Sequence, residues 1–294
     1  VGNWGQPNRV YANNNSSLSL AWSSPESDNT RSLDWGDWDG DGDLDLAVGN
    51  FGQPNRLYQN SGGVLTLVWS SSESSTTTGV NWGDWDNDGD LDLAVSNWGE
   101  PIQVYQNYGG LLTLTWVAAE SDNSNSIDWG DWDNDGNLDL AVGNWGYSRV
   151  YENASGTLAL AWSAPVWEQT NSIAWDNTNT PNLALGNWDG PNRVYQNNDG
   201  SLSLTWFSSE ADNTGDIAWG DWNRDGDMDL AVGNAGQRNR LYSDSRTQAG
   251  NLFLDWSSQE RDDSTSVAWG DWDGDGDLDL AVGNSGQPNR VYAN

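Results

Sequence analysis

The sequence contains no cysteine and no histidine, and its positive charge comes from 11 arginines with no lysine. Without cysteine, neither disulfides nor thiolate metal sites are available. Without histidine, the commonest general base and the usual transition-metal ligand are missing. No run of 18 apolar residues occurs, so insertion into a membrane as a helix is excluded. The 44 acids leave a formal net charge of −33, which makes nucleic acid and anionic membranes poor partners. Val1 stands in mid-repeat with no charged start or apolar leader core, so any targeting segment is expected to lie outside this sequence.

The acids that are present are concentrated. DWDGDGDLDLAVGN at 37–50 holds five aspartates in nine positions, and near-copies follow at 84–97, 131–144, 221–234 and 271–284. A sixth copy, AWDNTNTPNLALGN at 174–187, keeps only Asp176 of the acids. The five intact loops hold 23 of the 44 acids, unlike a solvated acidic tail. Each copy sits in a unit of about 47 residues that reads GNxGQPNRVYxN, LxLxWSSxE, SxxWGDW and then the loop with LDLAV. A fixed period of this size points to a solenoid, an array or a propeller. With no linker or shift of composition, residues 1–294 are expected to form one domain. Its end segments are duplicated: VGNWGQPNRVYAN at 1–13 matches VGNSGQPNRVYAN at 282–294.

The tracts LSLAW at 18–22, LTLVW at 65–69 and LTLTW at 112–116 alternate at period two, and no segment keeps a 3.6-residue apolar period. The fold class is therefore all-β. Four short strands per unit, SxxWGDW, LDLAV, NRVYxN and LxLxWSS, match the blade of a β-propeller. Most of the 22 tryptophans are expected to fill the space between such blades. The SxxWGDW strand recurs six times, near 32–38, 79–85, 126–132, 172–176, 216–222 and 266–272, which gives six blades.

Like charges crowd a tight loop at a cost unless something binds them. Asp37, Asp39, Asp41 and Asp45 fit D-x-D-x-D-G-x-x-D, with the carbonyl of Asp43 available at the seventh position. Alternate carboxylates can aim oxygens at one centre, and Ca²⁺ suits such all-oxygen ligation better than Mg²⁺. An EF-hand is excluded, because its twelfth position requires glutamate and here is Val48, Val95, Val142, Val232 or Val282.

SLDWGDWDGDGDLDLAVGN and its copies resemble the FG-GAP or VCBS repeats of integrin α-subunit propellers and many bacterial surface proteins. That resemblance implies a propeller with a calcium loop between the first and second strands of each blade. Carried over by position, it implies five ligand sets. They are Asp37, Asp39, Asp41, Asp43 and Asp45; Asp84, Asp86, Asp88, Asp90 and Asp92; Asp131, Asp133, Asp135, Asn137 and Asp139; Asp221, Asn223, Asp225, Asp227 and Asp229; and Asp271, Asp273, Asp275, Asp277 and Asp279. About five Ca²⁺ per chain are expected, with none at 174–187. The set containing Asn223, beside Arg224, is expected to be the weakest. Integrin-like propellers usually have seven blades, so seven stays open beside six. In a six-bladed ring LSLAW would supply the fourth strand that the last unit lacks, leaving 1–13 to begin a further blade or to pair with another molecule.

These features favour an extracellular or cell-surface binding or adhesion module that recognises a carbohydrate or a surface or matrix protein. Candidate contacts are Trp4, Phe51, Trp98, Trp145 and Trp188 of the GNxGQPNR segments, with Arg9, Arg56, Arg193 and Arg290 nearby. The alternative is a structural surface-layer, matrix or filament subunit that self-assembles through its terminal strands. A polysaccharide-active enzyme is disfavoured, because Glu26, Glu73, Glu120, Glu168, Glu210 and Glu260 recur regularly whereas a catalytic centre is one asymmetric place.

Overall fold

The computed structural model describes residues 1–13, 17–176, 178–245 and 248–294, with the side chains of 245 and 248–251 left aside. Among these residues every regular element is a strand, and no helix is long and apolar enough to cross a membrane. The first complete repeat folds as Thr30–Gly36, Asp45–Asn50, Arg56–Ser61 and Val64–Ser70, each strand antiparallel to the one before it. The same order recurs in Thr77–Gly83, Asp92–Asn97, Gln103–Asn107 and Leu112–Val117. Later repeats begin at Ser124–Gly130, Glu168–Trp175 and Thr214–Gly220 and again contribute four strands each.

Five first strands end two residues earlier than the sequence pattern suggested, and Glu168–Trp175 ends one residue earlier. The second half of WGDW belongs to the loop, because the Trp38 amide turns back onto the Gly36 carbonyl at 3.0 Å. The second strands Asp45–Asn50, Asp92–Asn97 and Asp229–Asn234 are buried at every position. Their LDLAV tracts are therefore covered on both faces, which explains a nearly continuous apolar run where alternation was expected. Fourth strands are mostly exposed, Leu112–Val117 burying only its first residue fully.

The strand expected to complete the last repeat does something else. Leu18–Ser23 pairs antiparallel with Arg9–Asn13, Val10 opposite Trp22, in the register that Arg56–Ser61 and Val64–Ser70 use. Among the described residues the last sheet has three strands, Ser264–Gly270, Asp279–Asn284 and Arg290–Tyr292.

The chain divides into two compact units, Val1–Trp129 with Gly136–Trp145 and Arg149–Ala164, and Gly130–Asp135 with Gly146–Ser148 and Pro165–Asn294. Within each, the apolar core lies between consecutive repeats. In the first unit one cluster joins Trp85, Ala94, Val104, Trp129, Leu140 and Tyr151. In the second, Ala184, Val194, Trp206, Ile217, Leu230 and Tyr242 pack together. The fourth-strand tryptophan meets the third-strand tyrosine of the next repeat edge-on: Trp22 with Tyr58 at 5.0 Å, Trp69 with Tyr105 at 5.3 Å, Trp206 with Tyr242 at 5.0 Å. Such edge-to-face pairs contribute about 0.5–1.5 kcal/mol each beyond buried area. Their indole N–H groups reach the next fourth strand, Trp22 Nε1 to the Leu65 carbonyl at 3.1 Å and Trp206 Nε1 to that of Leu252 at 2.7 Å.

Candidate metal centre and aromatic row

The acidic loops fold on their own backbone. The first aspartate accepts amide N–H groups four and five residues on: Asp84 from Asp88 and Gly89, both at 3.1 Å, and Asp221 from Asp225 and Gly226, both at 3.0 Å. The fifth accepts from the seventh, Asp41 from Asp43 at 2.9 Å and Asp275 from Asp277 at 2.9 Å. Glycine in the sixth position carries positive φ throughout, +94° at Gly42 and +95° at Gly89, where a side chain would be strained. The ninth aspartate anchors the loop from inside the protein. Asp92 is fully buried and accepts from the Trp85 amide at 3.0 Å and the Asn107 amide at 2.7 Å. Asp45, Asp229 and Asp279 make the same two kinds of bond.

Several of these carboxylates also converge on one another. Carboxylate oxygens lie within 4.8 Å of one another in Asp37, Asp39 and Asp41, in Asp84, Asp86 and Asp92, and in Asp271, Asp273 and Asp279. The seventh residue does not join its triplet through its carboxylate. Asp43 accepts from the Gly62 amide at 2.8 Å and Asp90 from Gly109 at 3.2 Å, capping the hairpins of their own repeats. The boundary between the two units runs through the third loop. In one unit the Asp135 amide donates to Asp131 and Asp133 at 3.1 and 3.2 Å; in the other the buried Asp139 accepts from the Asn153 amide at 2.7 Å.

Two observations show that these triplets fit a hard cation. Asp37 Oδ1 and Asp86 Oδ1 are buried with no hydrogen-bond donor, a costly state for a carboxylate oxygen that a cation relieves. Burial, and then the neighbouring Asp88 and Asp84 carboxylates, push the Asp86 carboxyl above its ordinary range. Burial likewise pushes Asp92 up to about 7, against the two amide bonds it accepts. The aspartate triplets could therefore hold a metal ion.

At 174–187 hydrogen bonds do the closing. Asp176 Oδ1 accepts from the Thr178 amide and hydroxyl at 3.1 and 2.8 Å and from the Asn182 amide at 3.0 Å, while Oδ2 accepts from Asn182 Nδ2 at 2.6 Å. Asn182 stands in for the anchoring aspartate by accepting the Asn197 amide at 3.1 Å.

The loops have supports that the sequence pattern did not reveal. Gln59 and Gln106 of the third strands donate to Asp39 and Asp86. Asn107 and Asn153 also reach back to the preceding loop, Nδ2 donating to the Trp38 carbonyl at 2.9 Å and to that of Trp85 at 2.5 Å. The recurring YQN or YEN tail of the third strand was the available signal.

Of the candidate ligand-binding residues, four aromatics meet in two pairs and Arg56, Arg193 and Arg290 are engaged elsewhere. Trp4 meets Phe51 at 5.4 Å, and Trp98 meets Trp145 edge-on at 5.0 Å. Phe51, Trp98, Trp145 and Trp188 are held by their amides, each donating to a carbonyl just ahead of or at the start of a first strand at 2.8 or 2.9 Å. Trp4 is 56% exposed and the other four are partly buried. Arg193 and Arg290 pair with Glu168 at 2.6 Å and Asp262 at 2.7 Å, and Arg56 with Asp28. Asp28 and Asp262 belong to the WSSxExD segment of the previous repeat and Glu168 opens the first strand Glu168–Trp175, so none of these acids comes from the acidic loops. Arg9, in the duplicated end segment, is exposed. The recurring glutamates serve the same junction: Tyr151, Tyr242 and Tyr292 donate to Glu120, Glu210 and Glu260 at 3.0, 3.0 and 3.1 Å.

A family model described as FG-GAP-like repeat matches residues 37–95, 84–142, 175–232 and 225–282. No curated protein matches the sequence. Among solved structures, BBS1N in complex with ARL6DN is similar over 90% of this chain and 79% of that chain, at 18% identity and a TM-score of 0.65. Sqt1 of Saccharomyces cerevisiae is similar over 95% and 76%, at 13% identity and a TM-score of 0.69. At such identities the likeness is one of fold, and it is to propeller proteins, whose arrangement the small antiparallel sheets follow.

Proposed function

Because the chain belongs to the FG-GAP-like repeat family, we propose that it is an extracellular, calcium-stabilised β-propeller that binds a ligand and catalyses no reaction. The buried, donorless oxygens of Asp37 and Asp86 within their acidic triplets carry the calcium reading. In this reading Ca²⁺ fills the five intact loops, with the seventh residue of each adding its carbonyl, and six blades make the ring. Each ion bound only by the folded chain stabilises it by about 2.7 kcal/mol at a hundred times its dissociation constant.

The aromatic row is the ligand surface. Trp4 with Phe51 and Trp98 with Trp145 supply flat apolar faces, while Arg56, Arg193 and Arg290 are neutralised by acids of the chain. A surface of rings and amides on a protein of net charge −33 suits a neutral carbohydrate and disfavours an acidic one. A surface-protein ligand is compatible with BBS1N being found with a protein partner.

Self-assembly is the second reading, favoured by one observation. Arg290–Tyr292 repeats the sequence of Arg9, Val10 and Tyr11, which already pair with Leu18–Ser23. Its outer edge could accept such a strand from another molecule.

Thermal unfolding with chelator and with millimolar Ca²⁺, beside metal analysis, tests the main reading. About five ions and a fall of at least about 10 °C on chelation are expected. No bound metal and no shift would remove calcium and the extracellular assignment with it. A particle size that changes when residues 1–13 are deleted would favour assembly.

A further inference from the structure

At the fourth position of two loops, Asn87 and Arg224 reach toward the next loop. This position is held in the left-handed region, with φ +60° at Asn87, +58° at Asn134, +57° at Arg224 and +71° and +80° at Gly40 and Gly274. Glycine and asparagine accept that conformation readily and arginine does not. Strain kept at one position of a repeat calls for a compensating contact.

The contact is with the following loop. Arg224 Nη2 lies 2.7 Å from Oδ1 of Asp277, the seventh residue of the loop 271–279, and crosses over Gly276, where a β-carbon would be 2.9 Å from it. The same span is bridged without charge three repeats earlier. There Asn87 Nδ2 donates to Oδ1 of Asn137 at 2.9 Å and to the Gly136 carbonyl at 3.2 Å. Neutral meets neutral, and charge meets opposite charge. The sequence also supplies an internal control: residues 37–45 and 271–279 are both DWDGDGDLD, so a difference between these loops arises from their surroundings.

We propose that Arg224 acts on the neighbouring loop 271–279 as a tethered counter-charge that lowers its affinity for a divalent cation. This rests on the cation reading above. Asp277 expends its carboxylate on the guanidinium, which brings a positive charge to the loop whose Asp271, Asp273 and Asp279 oxygens would hold the ion. At this spacing, in partly exposed surroundings, the effect on affinity is about three- to tenfold and shrinks with added salt. The row of loops is thereby graded, with the last loop responding to higher cation concentrations than its twin at 37–45.

Calcium titration by calorimetry on the full chain tests this. Arg224→Asn, which installs the residue found at position 87, is expected to tighten the weakest sites about three- to tenfold. Asp277→Asn removes a negative charge and frees the arginine, so it should loosen them. A merely structural bridge would make both variants loosen. Adding Arg224→Asn to a background of Asp221→Asn and Asp225→Asn, in which the loop 221–229 is disabled, should still tighten binding. Loss of the effect in that background would confine Arg224 to its own loop and overturn the proposal, as would equal affinities in wild type and Arg224→Asn. If wild type takes up no calcium, the cation reading falls first and this inference with it.

Discussion

A β-carbon placed on Gly83 would stand 2.6 Å from Cδ1 of Trp129 in the next repeat. The two first strands approach so closely that only glycine leaves room for the indole, and Gly36 faces Trp82 in the same way at 2.7 Å. Gly83→Ala is therefore expected to destabilise the protein by about 1–3 kcal/mol through overpacking. Gly270 occupies the matching place in the last repeat, where nothing lies within 4 Å of the added carbon. Gly270→Ala should be neutral in the same denaturant titration. Equal costs would refer the effect to strand propensity and not to the tryptophan.

Tyr242 donates to Glu210 at 3.0 Å across the junction between repeats. Burial, and then the charge of Glu210, push its phenol far above the ordinary range, so it stays protonated and keeps donating. Tyr242→Phe leaves a partly buried carboxylate short of a donor, with the Ser209 side chain and Arg240, 3.7 Å away, as its remaining supports. A loss of about 1–2 kcal/mol is expected in urea unfolding. A variant as stable as wild type would show that Ser209 and Arg240 suffice for Glu210.

Asp34 provides the pH dependence. Its Oδ2 accepts the Trp82 amide at 2.8 Å and Asn81 Nδ2 at 3.3 Å, yet burial raises its carboxyl to about 6 against those bonds. A folded value above the unfolded one means that the charge is a cost of folding. That cost is absent below about pH 4, grows between 4 and 6, and is complete above 6. Asn81, the matching residue of the next repeat, accepts the Trp129 amide at 3.3 Å without a charge. Asp34→Asn should therefore stabilise the protein by about 1–2 kcal/mol at pH 7, the gain vanishing near pH 4. A variant that is less stable at both pH values would show that the charge itself is needed.

The period, the all-β class, the four-strand unit and the loop spacing are legible because each is written within one repeat. Asp37, Asp39 and Asp41 are close in sequence, and their convergence follows from local turn geometry. The departures arise between repeats. Arg56 reaches Asp28 across 28 positions, and nothing in the arginine's own segment indicates that partner. Asp43 and Asp277 occupy one position of the pattern yet bond differently, Asp43 to a hairpin amide of its own repeat and Asp277 to Arg224. The pairing of Leu18–Ser23 turned on a choice between two nearly identical partners, RVYAN at 9–13 and again at 290–294, which sequence alone does not decide.

The aromatic row separates binding from scaffolding. Trp98 and Trp145 touch at 5.0 Å while partly exposed, so each can be shortened without opening the core between repeats. If they form a sugar surface, Trp98→Ala and Trp145→Ala should each weaken glycan binding about tenfold while the melting temperature holds. Arg56 should behave in the opposite way. Its guanidinium is fixed by Asp28 and faces Glu26 at 4.0 Å, so Arg56→Gln should lower stability and leave affinity unchanged. A glycan array identifies the ligand, and calorimetry on the three variants then reads both quantities. Affinity lost in Arg56→Gln but retained in both tryptophan variants would move the ligand site from the aromatic row to the junction between repeats.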